Sequence, residues 1–260
     1  MMKKTFLTLL VLCTFLSSFA ENGYRLWLRY DKITNATHLQ QYRVALQNFY
    51  CPGNTPTLAA ARKELQSGLQ GLLDKKIPEV STPGAGSLVI TFGKNSAGNG
   101  VDYTKLGKEG FAIQNTTTNG RKRILIMANT DVGALYGVFH FLRLLQTHQD
   151  IQTLNITSVP KIQHRVLNHW DNLNRHVERG YAGISLWNWH TLPGYIDQRY
   201  IDYARANASL GINGAALTNV NANALVLTDT YLQKVKALAD VFRPYGIKVY
   251  LTARFSAPIE

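Results

Sequence analysis

From about residue 160 the chain spells strand, helix, strand, helix, strand. Val166-Leu167-Asn168-His169-Trp170 reads as a strand, Gln198 to Leu210 as a helix ended by Gly211, and Gly214 to Val220 as a second strand. Asp229 then caps a helix to Arg243, Pro244 and Gly246 stop it, and Ile247 to Leu251 is a third strand. Strands alternating with helices lead to a parallel sheet covered by those helices. Doubly wound sheets and (β/α)8 barrels begin alike. No Gly-rich phosphate turn follows the first strand, which weighs against a dinucleotide fold. Polar and aromatic residues crowd the C-terminal ends of all three strands instead: Trp170-Asp171-Asn172, Asn219-Val220-Asn221 and Arg254. Barrels build their ligand sites at that end. The expected fold class is α/β: an α+β two-layer domain, then an incomplete (β/α)8 barrel whose third strand opens into a loop at Ala253 to Glu260.

Ahead of this pattern, residues 21 to 150 mix short elements of both kinds. Tyr24 to Tyr30 alternates like a strand or an extended pairing segment. Thr57 to Lys76 is helical, with Leu58, Ala61, Leu65, Leu69 and Leu72 on one face. Ser87 to Phe92 is a strand and Asn95 to Gly100 a Gly/Asn loop. Phe111-Ala112-Ile113 and Arg123 to Met127 form two strands joined at Asn119-Gly120. Asp131 caps a helix to Gln146, whose Gly133 and Gly137 imply close packing on the sheet.

The first twenty residues stand apart. Lys3 and Lys4, the apolar run Phe6 to Leu16 and the small-residue end Ser18-Phe19-Ala20 read as a secretory signal peptide. The protein is therefore expected to be exported, to a periplasm or the exterior. The run is short for a membrane span, and no other segment is apolar enough for one. Cleavage leaves Cys51 as the single cysteine, so the fold rests on its hydrophobic core rather than on disulfides. The hydrophobic share of 45% supports such a core. The formal charge of +12 falls by two with Lys3 and Lys4. The basic residues are scattered, and the densest group, Arg121-Lys122-Arg123, reads as a solvated strand entry. No nucleic-acid motif accompanies them, while an anionic sugar is compatible with the charge.

The strand ends carry the candidate chemistry. Trp170 is suited to stack on a sugar ring, with Asp171 and Asn172 bonding its hydroxyls; the alternative is a structural Trp at the core rim. Asn219 and Asn221 around Val220 suit a ligand with polar and apolar parts, or simply make turns. Arg254 is suited to pair with a carboxylate, or to hold a neighbouring loop. Glu178 and Arg179 read as an ion pair anchoring the rim. His164, His169, His176 and His190 lack metal-ligand spacing, so no metal is expected. Ser185 lacks the Gly-x-Ser-x-Gly elbow. Glycoside chemistry needs two carboxyl groups across a sugar bond, and Asp171, Glu178 and Glu260 offer no convincing pair.

Several blocks together resemble one family. Asn22 to Tyr30, Asn168-His169-Trp170-Asp171-Asn172, Glu178-Arg179-Gly180-Tyr181-Ala182-Gly183, Gly211-Ile212-Asn213-Gly214, Asn219-Val220-Asn221-Ala222 and Ala253 to Ile259 resemble, in order, the microbial α-glucuronidases of glycoside hydrolase family 67. The resemblance implies a signal peptide over 1–20, an N-terminal α/β domain over 21–150 and the start of the catalytic barrel over 151–260. A later helical domain would support a homodimer of the full-length protein. It implies inverting removal of glucuronic or 4-O-methyl-glucuronic acid from xylo-oligosaccharides derived from glucuronoxylan, without a cofactor. Trp170 matches the aromatic lining the uronic-acid pocket, and Val220 the apolar residue that with it shelters the methyl ether. Asp171, Asn221 and Arg254 complete the expected substrate-binding set. The acid and base carboxylates are expected on later strands, beyond residue 260, leaving these residues alone inactive. Thr218 departs from the Asn common there, a change expected to be silent. The readings set against this are a non-catalytic glycan-binding module and another barrel hydrolase, such as a β-hexosaminidase-like enzyme, whose adjacent Asp-Glu pair has no counterpart here.

Overall fold

The computed structural model describes residues 21–93 and 100–254. The signal peptide, the Gly/Asn loop up to Asn99 and the last strand-end block from Phe255 lie outside the described residues. The architecture is mixed α/β in two regions, each with its own sheet.

The front region opens with helix α1 (Ala36–Ala45), strand β1 (Asn48–Tyr50), helix α2 (Pro56–Leu73) and strand β2 (Ser87–Phe92). After one helical turn at Tyr103–Leu106 come β3 (Phe111–Thr118), β4 (Arg121–Ala128), helix α3 (Asp131–Gln146) and β5 (Asn155–Ser158). The sheet order is β1-β2-β4-β3-β5, with β1, β2 and β4 parallel and β3 antiparallel to both neighbours. The β3–β4 hairpin turns at Asn119 and Gly120, with φ of 51° and 73°. Two left-handed residues in succession are what a two-residue hairpin needs, and Asn-Gly tolerates them. Alternate residues divide the sheet between two cores. Leu88, Ile90, Ile113, Ile124 and Ile126 meet α2 and α3. Val89, Ala112, Leu125 and Met127 face Tyr103 and Leu106, so the expected two layers are supplemented by a small cover on the far face.

Gly137 fits its expected role, since a Cβ there would lie 2.5 Å from Ile126 Cγ2. The cap of α3 stands one residue earlier than the sequence suggests. Thr130 rather than Asp131 caps the helix by accepting from Gly133 N at 3.2 Å. Arg123 of the basic cluster donates to the carbonyls of Gly84 and Pro83 at 3.0 and 2.8 Å, which makes it a tie within the fold.

Tyr24 to Tyr30 is not a strand. The segment makes successive turns, with Leu26 N on Gly23 O at 3.1 Å and Leu28 N on Arg25 O at 3.0 Å. Gly23 at φ 70° and the Asn22 side chain on Tyr24 N start that turn, so local hydrogen bonds override the alternation. Helix α1 and strands β1 and β5, which show no marked pattern in the sequence, complete the layer.

The second region holds β6 (Val166–Asn168), helix α4 (Gln198–Ser209), β7 (Gly214–Ala216), a 3-10 turn at Ala224–Leu227, helix α5 (Asp229–Phe242) and β8 (Lys248–Tyr250). All three strands are parallel, in the order β6-β7-β8. Thr228, not Asp229, is the N-cap of α5. The strands are shorter than expected because the ladder dissolves at their C-terminal ends. His169 N still bonds Ala216 O and Leu217 N still bonds Tyr250 O, each at 2.9 Å. Beyond them Thr218 and Thr252 take over: Thr252 Oγ1 donates to Thr218 O at 2.6 Å and Thr252 N donates to Thr218 Oγ1 at 3.0 Å. Trp187 and Trp189, from the long loop between β6 and α4, are fully buried with Tyr200, Leu217, Leu238 and Phe242.

Candidate sugar site at the strand ends

The long polar loop that follows β6 is folded by its own side chains. Two isolated bridges, Asp171 with Val177 and His176 with Ile184, double it back on itself. Asn172 donates its amide to His176 O at 3.0 Å and to Glu178 O at 2.6 Å. Glu178 adopts φ 53° and donates its backbone N–H to Trp170 O at 2.7 Å. These contacts return the rim to the end of β6.

Asp171 is buried, and its carboxylate accepts the Ser185 hydroxyl, whose oxygen in turn accepts Trp187 N at 3.0 Å. Its backbone carbonyl takes Asn219 N at 2.8 Å, linking the ends of β6 and β7. Asp171 therefore braces the platform from below. A buried carboxylate needs such partners.

Asn219 is buried as well. Its side-chain amide donates to Glu178 Oε2 at 2.6 Å, and its Oδ1 accepts from Asn221 N at 2.8 Å. Arg179 lies 3.8 Å from Glu178 and is almost wholly exposed, so that ion pair is weak. Glu178 is the residue the sequence undervalued: its spacing suggested a rim anchor, and nothing in it announced the contact with Asn219.

Above this platform Trp170 and Val220 are half exposed, at 49% and 53%. Both are apolar side chains left open to solvent at strand ends. Asn221 and Arg254 are exposed beside them, with Arg254 N on Ala222 O at 2.9 Å holding the end of the third strand against the second. Two clefts meet at Glu178. One, of about 530 Å³, is lined by Trp170, Asp171, Tyr181 and Ile184; the other, of about 630 Å³, by Asn172, His176, His190, Asn221 and Tyr231.

His169, next to Trp170 in the chain, is half-buried. Its Nε2 shares a hydrogen with Tyr203 Oη at 2.7 Å and its ring meets Trp187 edge-on. Burial pushes its pKa below the ordinary value, partly opposed by Asp171. Burial likewise raises the Tyr203 hydroxyl. Among the described residues no group of three or more His, Cys, Asp or Glu is placed to hold a metal ion.

Comparison with known proteins bears on this arrangement. The family models described as glycosyl hydrolase family 67 N-terminus and glycosyl hydrolase family 67 middle domain match residues 26–141 and 144–260. A probable α-glucuronidase A of Aspergillus oryzae is 31% identical over 266 residues, 99% of this chain and 31% of that protein. The α-glucuronidase of Hypocrea jecorina is 33% identical over 271 residues, 97% of this chain and 31% of that protein. The chain thus spans about a third of the length of these curated relatives. A solved family GH115 4-O-methyl-α-glucuronidase with specificity for decorated arabinogalactans superimposes with a TM-score of 0.53. It is 15% identical, over 78% of this chain and 28% of that one, a likeness of fold alone.

Proposed function

The chain belongs to glycosyl hydrolase family 67, and we propose that it forms the front domain and one wall of the sugar pocket of an α-glucuronidase. The observation that carries this reading is the pair Trp170 and Val220, open to solvent at the ends of adjacent parallel strands on a base locked by Asp171, Ser185, Asn219 and Glu178. An indole face and a small apolar side chain at neighbouring strand ends suit the C–H face and methyl ether of 4-O-methyl-glucuronic acid. Arg254 supplies a cation for its carboxylate and Asn221 an amide for its hydroxyls.

In this reading residues 1–20 are an export signal, 21–150 the front domain and 151–260 the first three strands of a (β/α)8 barrel. The substrate is a glucuronoxylan-derived oligosaccharide, found in a periplasm or outside the cell, and the full-length protein forms the homodimer. Hydrolysis with inversion uses a carboxylic acid at the leaving oxygen and a carboxylate on the opposite face that activates water, roughly 6.5–9.5 Å away. Asp171 is committed to Ser185 and Glu178 to Asn219, so neither is free for those roles. In this reading both catalytic carboxylates lie outside the described residues, as the family resemblance implies, and this stretch binds the uronate without turning it over.

Titration of the 260-residue chain with 4-O-methyl-glucuronic acid, followed by Trp fluorescence, tests the binding. A saturable change that disappears in Trp170→Ala is expected. No saturation up to tens of millimolar ligand rejects the pocket, and release of uronic acid from aldouronic oligosaccharides rejects the placement of the carboxylates.

A further inference from the structure

The two family models meet between residues 141 and 144, yet the structure is stitched across that seam by two acids of the front region, one buried and one half-buried. The first is Glu64 on α2, whose side chain is only 6% exposed. Arg205 of α4 grips it through two bonds of 2.8 Å, Nε to Oε2 and Nη2 to Oε1. The Tyr30 hydroxyl donates to the same carboxylate at 2.5 Å, and the Arg205 guanidinium lies over the Tyr30 ring. Around this grip Ala208 of α4 enters the front core, and Tyr245 packs against both cores.

The second acid is Glu109, just before β3 and largely shielded from solvent. It accepts from Arg165, the residue before β6, and from the Asn213 amide, the residue before β7, the latter at 2.9 Å. Asn213 is the hub of the strand starts. Its backbone N–H donates to Arg165 O at 3.0 Å, its Oδ1 accepts from Arg165 N at 2.9 Å, and its carbonyl accepts from Lys248 N of β8 at 3.0 Å. One front-region carboxylate thus reaches the starts of two strands directly and of the third through Asn213.

Among the described residues these are the two ion pairs that join the regions, and hydrogen bonds from Tyr24 to Asp202, Trp27 to Ser209 and Arg143 to Ser209 stand beside them. The strands of the second region are three residues each, and every residue of β6 is exposed. We propose that Glu64 and Glu109 are the groups on which the fold of the second region depends, so that the front region serves as the template on which its parallel sheet assembles. Removing either charge leaves Arg205 or Arg165 inside the interface without a counter-charge. The front sheet, five strands around its own core, does not depend on them in the same way. This inference is independent of the sugar reading, since both acids lie away from the strand ends that carry Trp170 and Val220.

Hydrogen exchange on the 260-residue chain, resolved by peptide, tests it. Glu64→Gln and Glu109→Gln keep side-chain size while removing the charge. In each, amides of β6, α4, β7 and α5 are expected to exchange at least tenfold faster, with β2 and β4 nearly unchanged, and the double variant to exceed both. Asp74→Asn, which breaks an exposed pair with Lys32, is the control and is expected to leave both regions alone. Protection of the second region within twofold of the parent in both single variants overturns the proposal. So does equal loss in β4, whether by opening or by a chain that never folds, and so does the same pattern in Asp74→Asn.

Discussion

The two regions solve the parallel-sheet problem differently. The front sheet is built on strands of up to eight residues, closed by an Asn-Gly hairpin and buried on both faces. The second sheet has three-residue strands, an exposed first strand and a core in which residues of α4, β7 and α5 pack with Trp187, Trp189 and Leu192 of a loop. Long ladders with two covered faces supply stability by burial. Short ladders leave strand ends free to carry side chains such as Trp170 and Val220, and the support comes from neighbouring elements. Long covered ladders and exposed strand-end side chains are thus divided between the regions.

The comparison breaks most readily in the cores. Phe141→Ala on α3 removes a fully buried ring from the front core and is expected to lower unfolding free energy by about 3–5 kcal/mol, seen as a shifted denaturant midpoint. Trp187→Ala is expected to cost a similar amount, but with β6 and α5 losing hydrogen-exchange protection before β4 does. Next comes the seam: Arg205→Met leaves Glu64 buried with only Tyr30 and is expected to cost about 3 kcal/mol by the same midpoint measurement. At the site the order reverses. Trp170→Ala, half exposed, is expected to move stability by less than about 0.5 kcal/mol while weakening uronate binding at least tenfold, about 1.4 kcal/mol by calorimetric titration.

The smallest effect is pH dependence, with one histidine in each region. His140 is held below its ordinary pKa by burial and then by Arg143, and His169 by burial. The unfolded chain takes up those protons first, so the contribution is complete above about pH 6.5 and is lost as pH falls through the lower folded values. Denaturation at about pH 7.5 and about pH 5.5 is expected to show lower stability at the acid end. His140→Gln and His169→Gln should each flatten the slope, by less than about 1.4 kcal/mol per pH unit.

Much of this was legible in the sequence where the signal is local. Asn119-Gly120 announced the hairpin, the apolar spacing from Leu58 to Leu72 announced α2, and Gly137 announced close contact with the sheet. The alternation from Tyr24 to Tyr30 misled, because a strand requires an edge to pair with and a turn at Gly23 requires only its neighbours. At the site, Trp170 and Val220 stood out as strand-end residues. The burial of Asp171 did not, because its partner Ser185 arrives only after the intervening loop has folded back. Glu64 and Glu109 were equally silent: Arg205 lies 141 positions from the first and Arg165 lies 56 from the second.

The Arg205–Glu64 grip also bears on how such proteins diversify. A gene junction near residue 142 looks like a convenient crossover point, since two family models meet there. A chimera that takes its front region from one parent and its second region from another inherits acids and arginines chosen in different backgrounds. It must match Glu64 with Arg205 and Glu109 with both Arg165 and Asn213. Recombination at this junction should therefore succeed only between parents that share both acids and their partners, and the halves should travel together through evolution more often than their separate outlines suggest.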